Sequence, residues 1–124
     1  FDGDNFMPFQ AVKCDSLGAR ASADIHVSAD GKFLYASNRR QGDGIRIYSI
    51  GSDGRLANVG YEPTGKHPRN FVITPSGKFV LVAARDDNRV EVYARNEETG
   101  ELTNMHKDFP LPKPVCLKFV GLKP

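Results

Sequence analysis

Short apolar runs alternate with polar punctuation along the chain, and within the runs the alternation has a two-residue period. "IRIYS" (45–49) and "VEVYA" (90–94) place apolar side chains at every second position, which puts them on one face of an extended strand. Both runs are rich in β-branched and aromatic residues, which suit a pleated, half-buried surface. Between the runs stand "SADG", "TPSG", "GSDG" and "NEETG", whose residues favour turns. Strands are predicted near 23–28, 33–38, 44–50, 56–62, 69–74, 79–84, 90–95 and 102–107. "FQAVKC" (9–14) and "PVCLKFV" (114–120) each read as one further strand. No stretch carries a 3.6-residue period long enough for a helix.

The pattern also repeats at long range. Gly31-Lys32-Phe33 falls on Gly77-Lys78-Phe79, 46 positions later, with Ile25 on Phe71, Val27 on Ile73 and Arg39 on Arg85. After one deletion in a loop, "IRIYS" falls on "VEVYA", and the register recovers with Gly54 on Gly100 and Leu56 on Leu102. A recovered register argues against chance similarity between strands of a plain β-sandwich. A four-stranded unit of this length is the signature of a β-propeller blade. The expected fold is therefore all-β: four-stranded antiparallel sheets arranged as propeller blades. Residues 1–20 would end a preceding blade, 21–66 and 67–112 would be full blades, and 113–124 would be the inner strand of a closing blade. The expected interior is Ile25, Val27, Phe33, Leu34, Tyr35, Ile45, Ile47, Phe71, Ile73, Val80, Val82, Val90, Val92, Leu117 and Phe119. A blade cannot bury both faces alone, so this partial propeller is expected to be an arc of a larger ring, or to self-associate through exposed apolar faces.

The totals change this picture little. The chain has 124 residues, 40% apolar and 26% charged, with a net charge of +2. That charge is too small to favour nucleic acid, and no basic stripe with interleaved aromatics is present. No apolar run approaches the ~20 residues of a membrane helix, so neither a nucleic acid nor a membrane is an expected partner. The chain opens on Phe1, which reads as a piece of something longer. Cys14 and Cys116 fit no metal spacing and read as ordinary buried thiols, with a disulfide as the alternative. No Cys/His cluster suggests a metal, and no cofactor is expected. "RRQGDG" (39–44) lacks the Gly-Lys-Ser/Thr ending of a phosphate loop.

"ADIHVSADGKFLYASNR" (23–39) and "TGKHPRNFVITPSGKFVLVAAR" (64–85) resemble the lactonase family of seven-bladed β-propellers. That family includes the propeller-type 6-phosphogluconolactonases and the 3-carboxy-cis,cis-muconate lactonising enzymes. The resemblance covers residues 20 to 120 and only the C-terminal third of such a protein, since seven repeats would need roughly 320 residues. It implies hydrolysis of a phosphorylated sugar lactone, with lactonisation of a muconate or a non-catalytic binding scaffold as the other readings. The expected ligand is a small anionic sugar lactone, and the expected compartment is the cytoplasm. Resemblance carries to Asp24, Asn38, Arg39, Pro68 and Arg69. The family's site also draws on "HPH" and "DLG" stretches of earlier blades. Neither occurs here, the nearest being "HPR" at 67–69, so the 124 residues alone are expected to show no turnover.

Blade topology would gather Asp24, His26, Asn38, Arg39, His67, Arg69 and Arg85 near one rim. Lactone hydrolysis needs a base for water and a stabilised oxyanion. Arginine grips carboxylate or phosphate with a planar fork of donors. Asp24, His26 and Arg39 are the catalytic candidates, and Asn38, Arg69 and His67 the substrate-binding ones. Each has a plainer reading. Arg39 could pair with Asp24, Arg69 could be structural, His26 could be a packed core histidine, His67 could be solvated, and Arg85 could pair locally with Asp86 or Asp87.

Overall fold

The computed structural model describes residues 3, 5–14, 16–18 and 21–122; parts of the expected end segments 1–20 and 113–124 lie outside these. The strands are β1 (Ser22–Val27), β2 (Phe33–Asn38), β3 (Gly44–Ile50), β4 (Leu56–Pro63), β5 (Pro68–Ile73), β6 (Phe79–Ala84), β7 (Arg89–Arg95), β8 (Leu102–Asn104) and β9 (Phe109–Pro110). They form two antiparallel meanders, β1-β2-β3-β4 and β5-β6-β7-β8, with β9 added beside β7. The only helical element among the described residues is a three-residue 3-10 turn, Arg85–Asp87.

The core lies between the two sheets. Phe33, Tyr35, Ile45 and Ile47 of the first sheet pack on Phe71, Val80, Val82, Tyr93 and Leu102 of the second. The packing is close enough to exclude a side chain at Gly100. A Cβ there would lie 2.4 Å from the Phe33 ring, and the backbone is left-handed with φ +78°. The Tyr35 hydroxyl donates to the Gly100 carbonyl at 2.8 Å. Arg95, whose side chain is 1% exposed, crosses the same interface. Its guanidinium donates to Asp30 (2.8 Å), the Tyr35 hydroxyl (2.9 Å) and the Gly77 carbonyl (2.9 Å).

A second set of contacts stitches the inner strands. The Asp24 carboxylate accepts from the Phe71 backbone N–H (3.2 Å) and from the Asn70 amide (2.6 Å). One repeat later, the Asn70 side-chain oxygen accepts from the Leu117 backbone N–H (2.6 Å). Both backbone stitches span 47 positions, so residues near Leu117 hold the place beside β5 that β5 holds beside β1.

Several expectations need correction. Residues 9–14 and 114–120 form no strand ladder. The first segment is held instead by side chains: Asn38 and Arg46 donate to the Cys14 carbonyl and the Tyr48 hydroxyl to that of Lys13. The strand predicted over 102–107 pairs only as Leu102–Asn104, because left-handed His106 (φ 52°) interrupts the run. Ile25 and Val27 are 61% and 54% exposed, since they lie on the face of β1 opposite the interface between the two sheets, and Phe119, outside both sheets, is 49% exposed. Ile25 instead lines an apolar recess with Leu34, Ala36, Tyr48 and Leu56. The cysteines are free, but Cys116 is exposed and Cys14 only half-buried.

Candidate functional site

In antiparallel meanders the starts of β1, β3, β5 and β7 share one edge with the ends of β2, β4 and β6. The inner strands each open with an extra residue relative to their partners, between Ser22 and Ile25 in β1 and at Arg69 in β5. Such bulges re-aim side chains at sheet ends. In β1 the Asp24 N–H consequently donates to the Ser37 hydroxyl rather than to a strand carbonyl.

Asp24 is the most heavily bonded carboxylate on β1. Its Oδ2 accepts from the Asn70 amide and Phe71 N–H and meets His26 Nε2 at 3.0 Å, while Oδ1 accepts from the Ile25 N–H at 3.0 Å. Burial pushes its carboxyl up. The Phe71 N–H, His26 and the Ile25 N–H together outweigh burial and hold it below the usual carboxylate value. An ionised carboxylate with four donors is a weak base and a good anchor. It fixes the proton of a neutral His26 on Nε2 and leaves Nδ1 without a hydrogen-bond partner among the described residues. The His26 ring stands edge-on to Phe71, centroids 4.8 Å apart. It also lines a cleft of about 320 Å³ with Val27, Val72, Ile73, Lys118 and Phe119.

Arg39 does not pair with Asp24. Its Nε donates to the Ala21 carbonyl and one Nη to that of Ser22, each at 3.3 Å. The other Nη donates to His67 Nε2 at 3.0 Å. His67 is neither solvated nor loose. It has a left-handed backbone, φ 60°. Its N–H donates to Asp43 Oδ1 at 3.0 Å, its carbonyl accepts from Arg85 N–H at 3.1 Å, and its Nδ1 lies 3.3 Å from Asp86 Oδ2. Arg85 pairs with Asp86 at 2.8 Å. Asn38 is 1% exposed, and its amide is spent on Ser22 and the Cys14 carbonyl. Arg69 is exposed and has no ion pair or side-chain hydrogen bond among the described residues.

The connection from β4 to β5 is unusually well held. Gly65 N–H donates to both Glu91 carboxylate oxygens, Lys66 N–H to Asp87, and His67 N–H to Asp43. Glu91 is 2% exposed and also accepts from Arg89 (2.7 Å) and the Tyr93 hydroxyl (2.8 Å). A Cβ on Gly65 would lie 2.7 Å from a Glu91 oxygen. Nothing in the residue pattern marks Glu91, because alternation in "VEVYA" assigns it an outward face. Asp43 and Asp86 carried no motif either, though Asp86 stands beside Arg85.

Arg39, His67 and Asp86 thus form one connected group, Asp24, His26 and Asn70 a second, and β1 carries contacts to both. Together they offer cations at the edge and an oriented imidazole further down the strand. No group of three or more His, Cys, Asp or Glu residues that could hold a metal occurs among the described residues.

Known proteins are similar to this chain in sequence and fold. A 6-phosphogluconolactonase of Formosa agariphila is 53% identical over 90 residues, covering 70% of this chain and 26% of that protein. The crystal structure of a candidate 6-phosphogluconolactonase from Bacteroides uniformis superposes with a TM-score of 0.89 at 55% identity, over 90% of this chain and 33% of that one. A periplasmic gluconolactonase of Pseudomonas aeruginosa gives a TM-score of 0.78 at 30% identity, over 82% of this chain and 29% of that one. The chain therefore spans about a third or less of the length of these relatives. The family model described as "Lactonase, 7-bladed beta-propeller" matches residues 2–119. With its repeated four-stranded sheets and their stitched inner strands, the chain belongs to the lactonase family of seven-bladed β-propellers.

Proposed function

We propose that this chain is the C-terminal part of a lactonase that hydrolyses a phosphorylated sugar lactone of the 6-phosphogluconolactone type. The single observation that carries the reading is the joint placement of Arg39, His67, Asp24 and His26 about β1. Arg39 meets the strand at Ala21 and Ser22, and the Asp24–His26 pair follows along it. At ~3.3 Å per residue, Ser22 and His26 lie about 13 Å apart along the strand. That order gives the ligand a direction, with its anionic end at Arg39 and exposed Arg69 and its lactone carbonyl toward His26.

In this reading His26 Nδ1 accepts a proton from water, and the water oxygen adds to the lactone carbonyl carbon. The oxyanion collapses, the ring carbon–oxygen bond breaks, and the imidazolium returns its proton to the departing ring oxygen. The product is the open-chain acid. Asp24 orients the imidazole and balances its transient charge, as a buried carboxylate does behind a histidine base. Asn38 supports the site from behind by tying β2 to Ser22 and Cys14. The reading places the protein in the cytoplasm; a periplasmic location like that of the Pseudomonas relative is the competing outcome.

The test is consumption of 6-phosphoglucono-1,5-lactone by the longest natural polypeptide that carries this segment. The expected result is turnover that falls at least ~100-fold in His26→Ala and a raised KM in Arg39→Ala. Undiminished activity in both variants would contradict the assignment.

A further inference from the structure

Two of the Arg39 guanidinium's three hydrogen bonds go to carbonyls at the start of its own sheet, Ala21 and Ser22, and the third goes to His67 outside that sheet. We infer that Asp86 is a positioning residue that acts through His67: it holds the imidazole in the Nδ1–H form, so that Nε2 is an obligatory acceptor for Arg39. The inference rests on the proposed role of Arg39 as the anion-gripping cation, and it adds what holds that cation ready.

The chemistry of the chain of contacts permits one proton arrangement. Arginine has donors only, so the 3.0 Å contact from its Nη1 to His67 Nε2 requires a bare nitrogen there. A neutral imidazole then carries its proton on Nδ1, and the Asp86 carboxylate stands on that side of the ring, its Oδ2 3.3 Å from Nδ1. A carboxylate behind one ring nitrogen sets the character of the other. The backbone supports the same geometry. His67 keeps a left-handed conformation, uncommon for a residue with a side chain, because Asp43 holds its N–H and Arg85 its carbonyl. Strained conformations persist where surrounding contacts over-determine them. Asp86 is itself fixed on its other side by Arg85.

A proton on His67 Nε2 would set two donors face to face and end that one contact, leaving Arg39 only the Ala21 and Ser22 carbonyls.

Nitrogen-15 NMR of the longest natural polypeptide that carries this segment tests this directly. The expected signature is a His67 ring protonated at Nδ1 and bare at Nε2, with slowed exchange of the Arg39 guanidinium protons. Asp86→Ala should shift the ring toward the Nε2–H form and speed that exchange about tenfold, while Asp86→Asn, which keeps an acceptor, should restore much of the signature. An Nε2–H ring in the unmodified chain, or Arg39 exchange indifferent to Asp86→Ala, would overturn the inference. Titration with 6-phosphogluconate separates it from the functional reading. If the ring signature holds but the ligand leaves Arg39 unmoved, the positioning stands and the role of Arg39 as substrate cation fails.

Discussion

Arg95 shows how one side chain can bind two repeats together. Its buried guanidinium is satisfied by Asp30, Tyr35 and Gly77 from both sheets. Removing the carboxylate strands a buried cation, so Asp30→Ala is expected to lower stability by about 3 kcal/mol in urea unfolding. The sign of the pH effect follows from the same contacts. Burial raises the Asp30 carboxyl, but Arg95, the Ser28 hydroxyl and the Lys32 N–H prevail and hold it well below the usual carboxylate range. Its contribution is thus complete above pH ~4 and is lost as the pH falls through the lower folded value. Urea midpoints measured between neutral pH and pH 2 should fall less steeply in Asp30→Ala than in the parent. Gly100 offers a steric test. Gly100→Ala must adopt φ +78° and press on the Phe33 ring, an expected cost of roughly 2–4 kcal/mol in the same assay.

Strands and turns were readable because each carries its own local chemistry. β2, β3 and β6 lie at the predicted bounds, since apolar alternation and turn residues agree there. Burial was less readable, and Glu91 shows why. Glu91 pairs with core residue Val82 and so shares the face of Tyr93 toward the other sheet, while apolar Val92 takes the outer face; the two-residue period is present, but residue type misassigns which face is inside. Ile25 and Val27 fail in the opposite direction: their pattern promises burial, but the covering partner must come from outside their own pair of sheets. The Arg39–His67–Asp86 group was only partly readable. Arg39 and His67 stood out by residue type, whereas Asp86 enters through a left-handed backbone at His67 that no local signal marks. The stitch from Asn70 to Leu117 predicts behaviour for a whole segment. Asn70→Ala should raise hydrogen exchange at Leu117 about fivefold, a loss of about 1 kcal/mol, while exchange in β2 and β3 stays unchanged.

The molecule as a whole is two stacked sheets with an apolar surface left on each outer side. Ile25 at 61% and Phe79 at 38% exposure belong to these surfaces. Apolar patches of this kind favour association, so the 124-residue polypeptide is expected to form oligomers in native mass spectrometry; a stable folded monomer would contradict that. No turnover is expected of these residues alone, since the proposed site would draw on further blades of the relatives, of whose length this chain spans about a third or less. The account stands or falls on whether that sector receives an anion. A crystal of the longest natural polypeptide that carries this segment, soaked with 6-phosphogluconate, should show the phosphate between the Arg39 and Arg69 guanidinium groups, with His67 still seated on Arg39. Ligand bound elsewhere, with both arginines vacant at saturation, would contradict it.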